Sequence, residues 1–228
     1  MKKNLLLLLF LVNNFVNVFS EKNILIKEYL NSQMENLNDY QNLIYSEKIF
    51  FDEYKIYSAD SLEVIRVCES SKTRPLTDIG SCFEKVNYAN KGDSLKYTHQ
   101  VGSTMDTFML YNPSSRGKSF YIEYILKNVV VGHNDINELR LNMLDSSFNE
   151  SLDYINIKVN LPKKANDLRA WAHGPLWGNI KLDENKEYAL FTIDGYKAYT
   201  KIDIRMTFDK ELVSTMKVTN VDKLNSII

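Results

Sequence analysis

The chain predicts an all-β fold, an immunoglobulin-like antiparallel β-sandwich, on three observations. Tyr154 to Leu161 sets Ile155, Ile157, Val159 and Leu161 on one face and Asn156, Lys158 and Asn160 on the other. Lys201 to Phe208 repeats this with Ile202, Ile204, Met206 and Phe208 against Lys201, Asp203, Arg205 and Thr207. A period of two with one apolar and one polar side belongs to a sheet wet on one face. Beyond Tyr45 the apolar runs are also short, recur at intervals of about eight to twelve residues and are separated by turn residues rather than helical stretches, which is sandwich spacing. Finally, 228 residues with 44% hydrophobic and 12% aromatic content can bury one large core or two small ones, so one sandwich or two packed sub-sandwiches fit.

Residues 1–20 read as a signal peptide. Lys2-Lys3 gives a positive start, Leu5 to Val12 is an unbroken apolar run, and Val18-Phe19-Ser20 offers cleavage after Ser20. The run is far shorter than the ~20 residues a bilayer span requires, and Asn13, Asn14 and Asn17 interrupt its continuation. Residues 21–45 are expected to form a helical arm. Ile26, Leu30, Met34 (or Gln33), Leu37 and Ile44 recur at helical spacing through Ile24 to Ile44 with no Gly or Pro between them, the pattern of an amphipathic helix packed on its own domain or carried as a mobile arm.

The β domain is expected over 46–213. Phe50 to Tyr57 and Leu62 to Cys68 read as strands joined by the turn residues Ser58-Ala59-Asp60-Ser61. Phe83 to Tyr88, Leu95 to Gln100 and Met105 to Tyr111 follow, punctuated by Gly92, Gly102 and Asn112-Pro113. Ser119 to Val131 sets Phe120, Ile122, Tyr124 and Leu126 on one face. Leu161-Pro162 ends a strand and the next is due only near Tyr188, so Leu168 to Ile180 reads as a connection. It holds both tryptophans, Trp171 and Trp177, together with His173, and Gly174-Pro175 and Gly178 supply its bends. Trp171 is expected to be a buried plug at the edge of the core, and Trp177 the more exposed and the better candidate for a contact. Residues 214–228 begin a C-terminal linker.

Asp167-Leu168-Arg169-Ala170-Trp171-Ala172-His173-Gly174-Pro175-Leu176-Trp177-Gly178 resembles the Ala-Trp-Ala-His-Gly-Pro-Leu segment of the DUF2207 family, predicted bacterial membrane proteins whose exported amino-terminal part has no assigned activity. Asp60-Ser61-Leu62-Glu63-Val64 is similar to that family's Asp-Gly-Ser-Leu-x-Val-Thr-Glu hairpin, with Ser61 for Gly and Ile65-Arg66 for Thr-Glu. Arg74-Pro75-Leu76 resembles its Arg-x-Ile-Pro loop with one residue missing. Asp135-Ile136-Asn137-Glu138-Leu139, Leu161-Pro162, the Trp171 loop and Phe208-Asp209-Lys210-Glu211-Leu212 stand in the family's order, so the likeness runs over about residues 48 to 213 and is strongest from Phe120 to Val213. The resemblance implies an exported, non-catalytic module. It also implies a short acidic helix and membrane spans after Ile228, which makes the chain a fragment or a shortened relative, joined to a membrane only through a region absent from it.

Few residues suggest chemistry. His133, Asp135 and Glu138 are close enough in sequence for a metal group, but in a polar turn Asp135 better caps the segment Ile136 to Leu144, with Glu138 three residues on. His173 has no second positioned group to make it a base. The paired acids Asp183 and Glu184 fall in a charged turn. No nucleophile elbow, His-Glu-x-x-His motif, phosphate loop or calcium loop occurs, so no catalytic residue, metal or cofactor is expected. Cys68 and Cys82, the two cysteines, follow the export signal and are expected to pair around a short loop.

With 28 basic and 29 acidic residues there is no basic excess for nucleic-acid phosphates or anionic lipid, so no nucleic-acid partner is expected. The reading that results is an extracytoplasmic β-sandwich engaged in interaction or sensing, secreted or anchored in a full-length form, with an envelope protein or glycan as partner and Trp177, Trp171 and His173 as candidate binding residues. The alternative is a cell-envelope glycan hydrolase or glycan-binding protein; a hydrolase would need two carboxylates facing across a cleft about 5 to 9.5 Å apart.

Overall fold

The computed structural model describes residues 23–30, 40–48, 54–57, 61–70, 78–90, 92–111, 118–148, 151–215 and 217–227. The expected signal peptide at residues 1–20, the expected turn residues Ser58 to Asp60, the Arg74-Pro75-Leu76 loop and Asn112-Pro113 lie outside them. The first strands among the described residues are β1 (Asn23–Leu30), β2 (Tyr40–Lys48), β3 (Tyr54–Tyr57), β4 (Ser61–Ser70), β5 (Ile79–Cys82) and β6 (Glu84–Lys85). Next come β7 (Lys96–Gln100), β8 (Met105–Tyr111), β9 (Lys118–Lys127), β10 (Val130–Gly132), β11 (Asn137–Leu144) and β12 (Leu152–Asn160). The last are β13 (Arg169–His173), β14 (Asn179–Leu182), β15 (Tyr188–Tyr196), β16 (Ile202–Phe208) and β17 (Lys217–Val218), with a short helix α1 (Leu224–Ile227) at the end.

They assemble into an eight-stranded sheet in the order β14-β15-β12-β1-β2-β9-β4-β5, a five-stranded sheet β13-β16-β11-β10-β17 and a four-stranded sheet β3-β8-β7-β6. The period-two strands turn their apolar sides inward. Ile155, Ile157 and Val159 of β12, Phe191 and Ile193 of β15, and Ile122, Tyr124 and Leu126 of β9 join Leu139 and Leu141 of β11 and Ile204, Met206 and Phe208 of β16 in one buried cluster. Tyr97, Phe108 and Leu110 bring the four-stranded sheet into it. The all-β class therefore stands, but the sheets are mixed: β1 runs parallel to β12, β6 to β7 and β10 to β17.

Two expectations are corrected. The described residues of Ile24 to Ile44 are strand rather than helix: β1 and β2 lie antiparallel, with Leu30 opposite Tyr40. Nor does β1 stand apart as an arm, because it is inserted in the eight-stranded sheet with β12 on one side and β2 on the other. Ile24 and Ile26 also satisfy a period of two, and strand ladders on both sides outweigh a weak local helical preference. Ser119 to Val131 is likewise two strands. Asn128 has a left-handed backbone (φ 57°), and there the chain leaves β9 of one sheet for β10 of another; asparagine tolerates that conformation better than most residues.

Candidate functional site

The segment from Arg169 to Leu182 is not one connection but two edge strands. β13 pairs antiparallel with β16 at the edge of the five-stranded sheet, and β14 pairs antiparallel with β15 at the edge of the eight-stranded sheet. Residues directly opposite in an antiparallel pair share a face. Ala170 and Ala172 stand opposite the fully buried Met206 and Ile204 on the core-side face, where Ala170 packs half-buried against the core and Ala172 is left exposed. Arg169, Trp171 and His173 stand opposite Thr207, Arg205 and Asp203 on the outer face. The expected plug is thereby corrected: Trp171 is half-buried on the outer face, and two alanines occupy the inward side of its strand. Alternation along a strand decides this, and it was hidden because a five-residue run with two alanines carries no apolar signature.

Between the two strands the chain makes a tight turn, closed by the Gly178 N–H donating to the Pro175 carbonyl (3.2 Å). Gly174 passes so close to the neighbouring backbone that a Cβ there would stand 3.2 Å from the Lys201 carbonyl oxygen. Leu176 at the tip is completely exposed and Trp177 is 48% exposed, with the Lys197 ammonium 5.6 Å from the centre of its ring. Ile180 and Leu182 stand opposite the buried Phe191 and Ala189, on the core-side face, yet both remain exposed because β14 is the last strand. Asp183 builds the hairpin that follows, its carboxylate accepting from the N–H groups of Asn185 (3.0 Å) and Glu187 (3.3 Å).

The titratable clusters have structural partners. His133 Nε2 lies 2.9 Å from Glu138 Oε2 and its Nδ1 2.6 Å from Thr219 Oγ1, so both ring nitrogens are engaged. Arg205 Nε approaches Glu138 Oε1 to 2.7 Å as an ion pair without hydrogen-bond alignment. Asp135 does not cap Ile136 to Leu144, which is largely the strand β11. Its carboxylate instead accepts from the N–H groups of Lys223 and Leu224, 2.9 Å each, and caps α1. Those hydrogen bonds, Lys223's first, hold its carboxyl below the usual carboxylate range. Among the described residues no three His, Cys, Asp or Glu gather as a metal site.

Sequence reasoning missed a second imidazole–carboxylate pair. His99 Nε2 lies 2.6 Å from Asp106 Oδ2, both side chains are buried, and the imidazole stacks on Phe108 with ring centres 4.6 Å apart. His99 stands opposite Phe108 in the β7–β8 ladder, which puts Asp106 diagonally beside it on the same face. Asp106 Oδ1 also accepts from the Gly102 N–H (3.2 Å), and a Cβ at Gly102 would run into the Met105 carbonyl, so glycine is required in this turn. Such a pair orients an imidazole for proton transfer only when the other nitrogen faces a reacting group. Here Nδ1 faces the Lys85 ammonium at 3.4 Å. The signal available beforehand was a His and an Asp flanking a glycine turn within one hairpin.

Comparison with known proteins gives one family. DUF2207, described as the N-terminal domain of a predicted membrane protein, matches residues 44–208. The chain belongs to the DUF2207 family. The DUF2207 match begins inside β2 and ends with the last residue of β16, so β1 lies outside it while completing its central sheet. DUF2207 is a family of unknown function with no known catalytic activity. No curated protein matches the chain. Among solved structures it is similar to a two-domain M1 zinc metallopeptidase mutant bound to L-tryptophan, at 7% identity and TM-score 0.35 over 81% of this chain and 42% of that one. The Mu homology domain of Fcho1 from Danio rerio with bound Eps15 peptide is 8% identical, TM-score 0.27, over 83% and 78%. The collagen adhesin of S. aureus is 10% identical, TM-score 0.27, over 87% and 85%. Likenesses this distant bring no function to the DUF2207 chain, which spans less than half of the metallopeptidase.

Arg66 of β4 meets Glu123 on the neighbouring β9 at 2.6 Å and lies 5.1 Å over the Tyr121 ring. Burial, and next the charge of Glu123, pushes the Tyr121 phenol up to about 12. At the other end of β4, Cys68 and Cys82 stand directly opposite across β4 and β5 and are joined by a disulfide, with Cα atoms 3.8 Å apart. Among the described residues no helix is long and apolar enough to cross a membrane.

Proposed function

We propose that this DUF2207 chain is a non-catalytic, extracytoplasmic module that works by contact, in interaction or sensing, with another component of the cell envelope. The observation that carries this is the uncovered apolar surface along the turn and β14, where Leu176, Trp177, Ile180 and Leu182 are all exposed. Isolated apolar residues on a surface need no explanation, but four exposed within seven positions concentrate apolar surface on one turn and edge strand, as interaction sites do. Export is supported by the signal-peptide pattern and by a disulfide that requires an oxidising compartment. The non-catalytic reading is supported by His99 and His133, each of which has both ring nitrogens engaged by neighbouring side chains.

A photo-crosslinking residue replacing Trp177, compared in intact cells with one replacing Glu211 on the turn after β16, tests the reading. Adducts to envelope material specific to the 177 position are expected. Equal adducts at both positions, or hydrolysis of purified envelope glycan by the protein, would overturn it.

A further inference from the structure

We propose that the tip made by Leu176, Trp177 and Tyr199 rests in the headgroup region of a lipid bilayer, with Lys197 reaching its phosphates; this rests on the contact-module reading and names its partner. Two turns form the tip at one end of the sandwich. The first carries Leu176 (100% exposed) and Trp177 (48%), the second Tyr199 (65%). They are adjacent, because Lys197 lies over the Trp177 ring and the Lys201 carbonyl lies against Gly174. The second turn is built rather than loose: Tyr199 has a left-handed backbone (φ 63°), its N–H donates to the Phe148 carbonyl (2.8 Å), and the Ala198 N–H donates to Ser151 Oγ (3.2 Å). Left-handed backbone is costly for an aromatic residue, so the fold is holding Tyr199 out.

The chemistry of the tip chooses the occupant. A sugar site stacks a ring face and surrounds it with converging polar groups, and a fully exposed leucine offers none. A fully exposed aliphatic side chain, exposed aromatic rings with polar edges and a lysine over one of them are the side-chain types that suit the acyl boundary, headgroup region and phosphates of a bilayer surface. Lys201 is held by Asp203 (2.8 Å), which leaves Lys197 for the phosphates. The exposed acids Asp153 and Asp194 on the neighbouring strands keep the preference for anionic lipid modest. Two or three inserted side chains bind weakly by themselves. That suffices to orient the N-terminal domain of a predicted membrane protein, since a domain joined to the membrane meets it at high effective concentration.

The test uses Trp171→Phe, which leaves Trp177 as the single tryptophan. On titration with vesicles of phosphatidylcholine, and of phosphatidylcholine with phosphatidylglycerol, to millimolar lipid, Trp177 emission should shift to the blue and be quenched by shallow brominated lipid. Leu176→Asp should lower partitioning by about tenfold or more, as expected for withdrawing one leucine from apolar surroundings, with an unchanged thermal melt. Lys197→Glu should lower it roughly fivefold on the anionic vesicles alone. Unchanged emission at saturating lipid overturns the proposal, and if crosslinks at position 177 persist the contact-module reading survives without it. A blue shift that follows protein concentration in the absence of vesicles assigns the tip to a second copy, and one produced by purified envelope glycan assigns it to carbohydrate; either overturns the lipid assignment.

Discussion

Trp171 stands directly opposite Arg205 across β13 and β16, on the face turned away from the core. A tryptophan there is half covered by neighbouring side chains instead of being enclosed. Trp171→Ala is therefore expected to cost about 1–2 kcal/mol, less than the roughly 3–5 kcal/mol of an enclosed tryptophan. Trp177→Ala should cost about 0.5 kcal/mol or less, as for other surface substitutions. Urea denaturation of the two variants beside Ile157→Ala, a fully buried position that should lose about 2–5 kcal/mol, measures the order.

The His99–Asp106 pair should behave as a structural tie. Asp106→Ala leaves a buried imidazole N–H and the Gly102 N–H without acceptors, and is expected to destabilise the protein by about 3 kcal/mol. A melt unchanged by Asp106→Ala would remove the tie and return His99 to candidacy as a chemical group.

Acid should release the C-terminal helix before the rest of the chain. The folded pKa of Asp135 is depressed, so its stabilising effect is present above the ordinary carboxylate value near 4 and is lost as pH falls through the lower folded value. Amide exchange at Lys223 and Leu224, whose N–H groups it accepts, should quicken below about pH 4 relative to the core strands. In Asp135→Ala, exchange should already be fast at neutral pH.

Reducing the Cys68–Cys82 disulfide should lower stability by about 3 kcal/mol in the chain-entropy model for a loop of this size. The urea midpoint with and without a reductant reads the loss, and Cys82→Ala should show no further change on reduction. Thiols that react freely with an alkylating reagent in the folded, unreduced protein would contradict the pairing.

Removing residues 21–39 should do more damage than loss of a surface arm would. β1 holds β12 on one side and β2 on the other, so its loss leaves two long edges open in the largest sheet. Open edges pair with other chains, and light scattering on refolding should report aggregation of the truncated protein at concentrations where the full chain remains clear.

Period-two alternation in β12 and β16, turn residues at regular intervals and an ordered set of family landmarks were enough to determine an all-β DUF2207 domain from sequence alone, because strand burial is a local pattern repeated along the chain. The strands around Leu62, Leu95 and Met105 were legible for the same reason. Local pattern does not say which strand pairs with which. Ile24 to Ile44 satisfied a helical spacing and a strand spacing together, and only the two ladders on β1 decided between them. Asp135 was recognisable as a capping residue, yet the helix it caps begins 89 residues downstream, a choice made by the packing of the C-terminal segment. The candidate site divides in the same way. That Trp171, His173 and Trp177 sit together in a glycine-bent stretch is written in the sequence. That Trp171 lies on the outer face, that Leu176 is left bare, and that Lys197 and Tyr199 arrive beside Trp177 from another turn follow from β13 and β14 being the last strands of two different sheets, where among the described residues no further strand covers them.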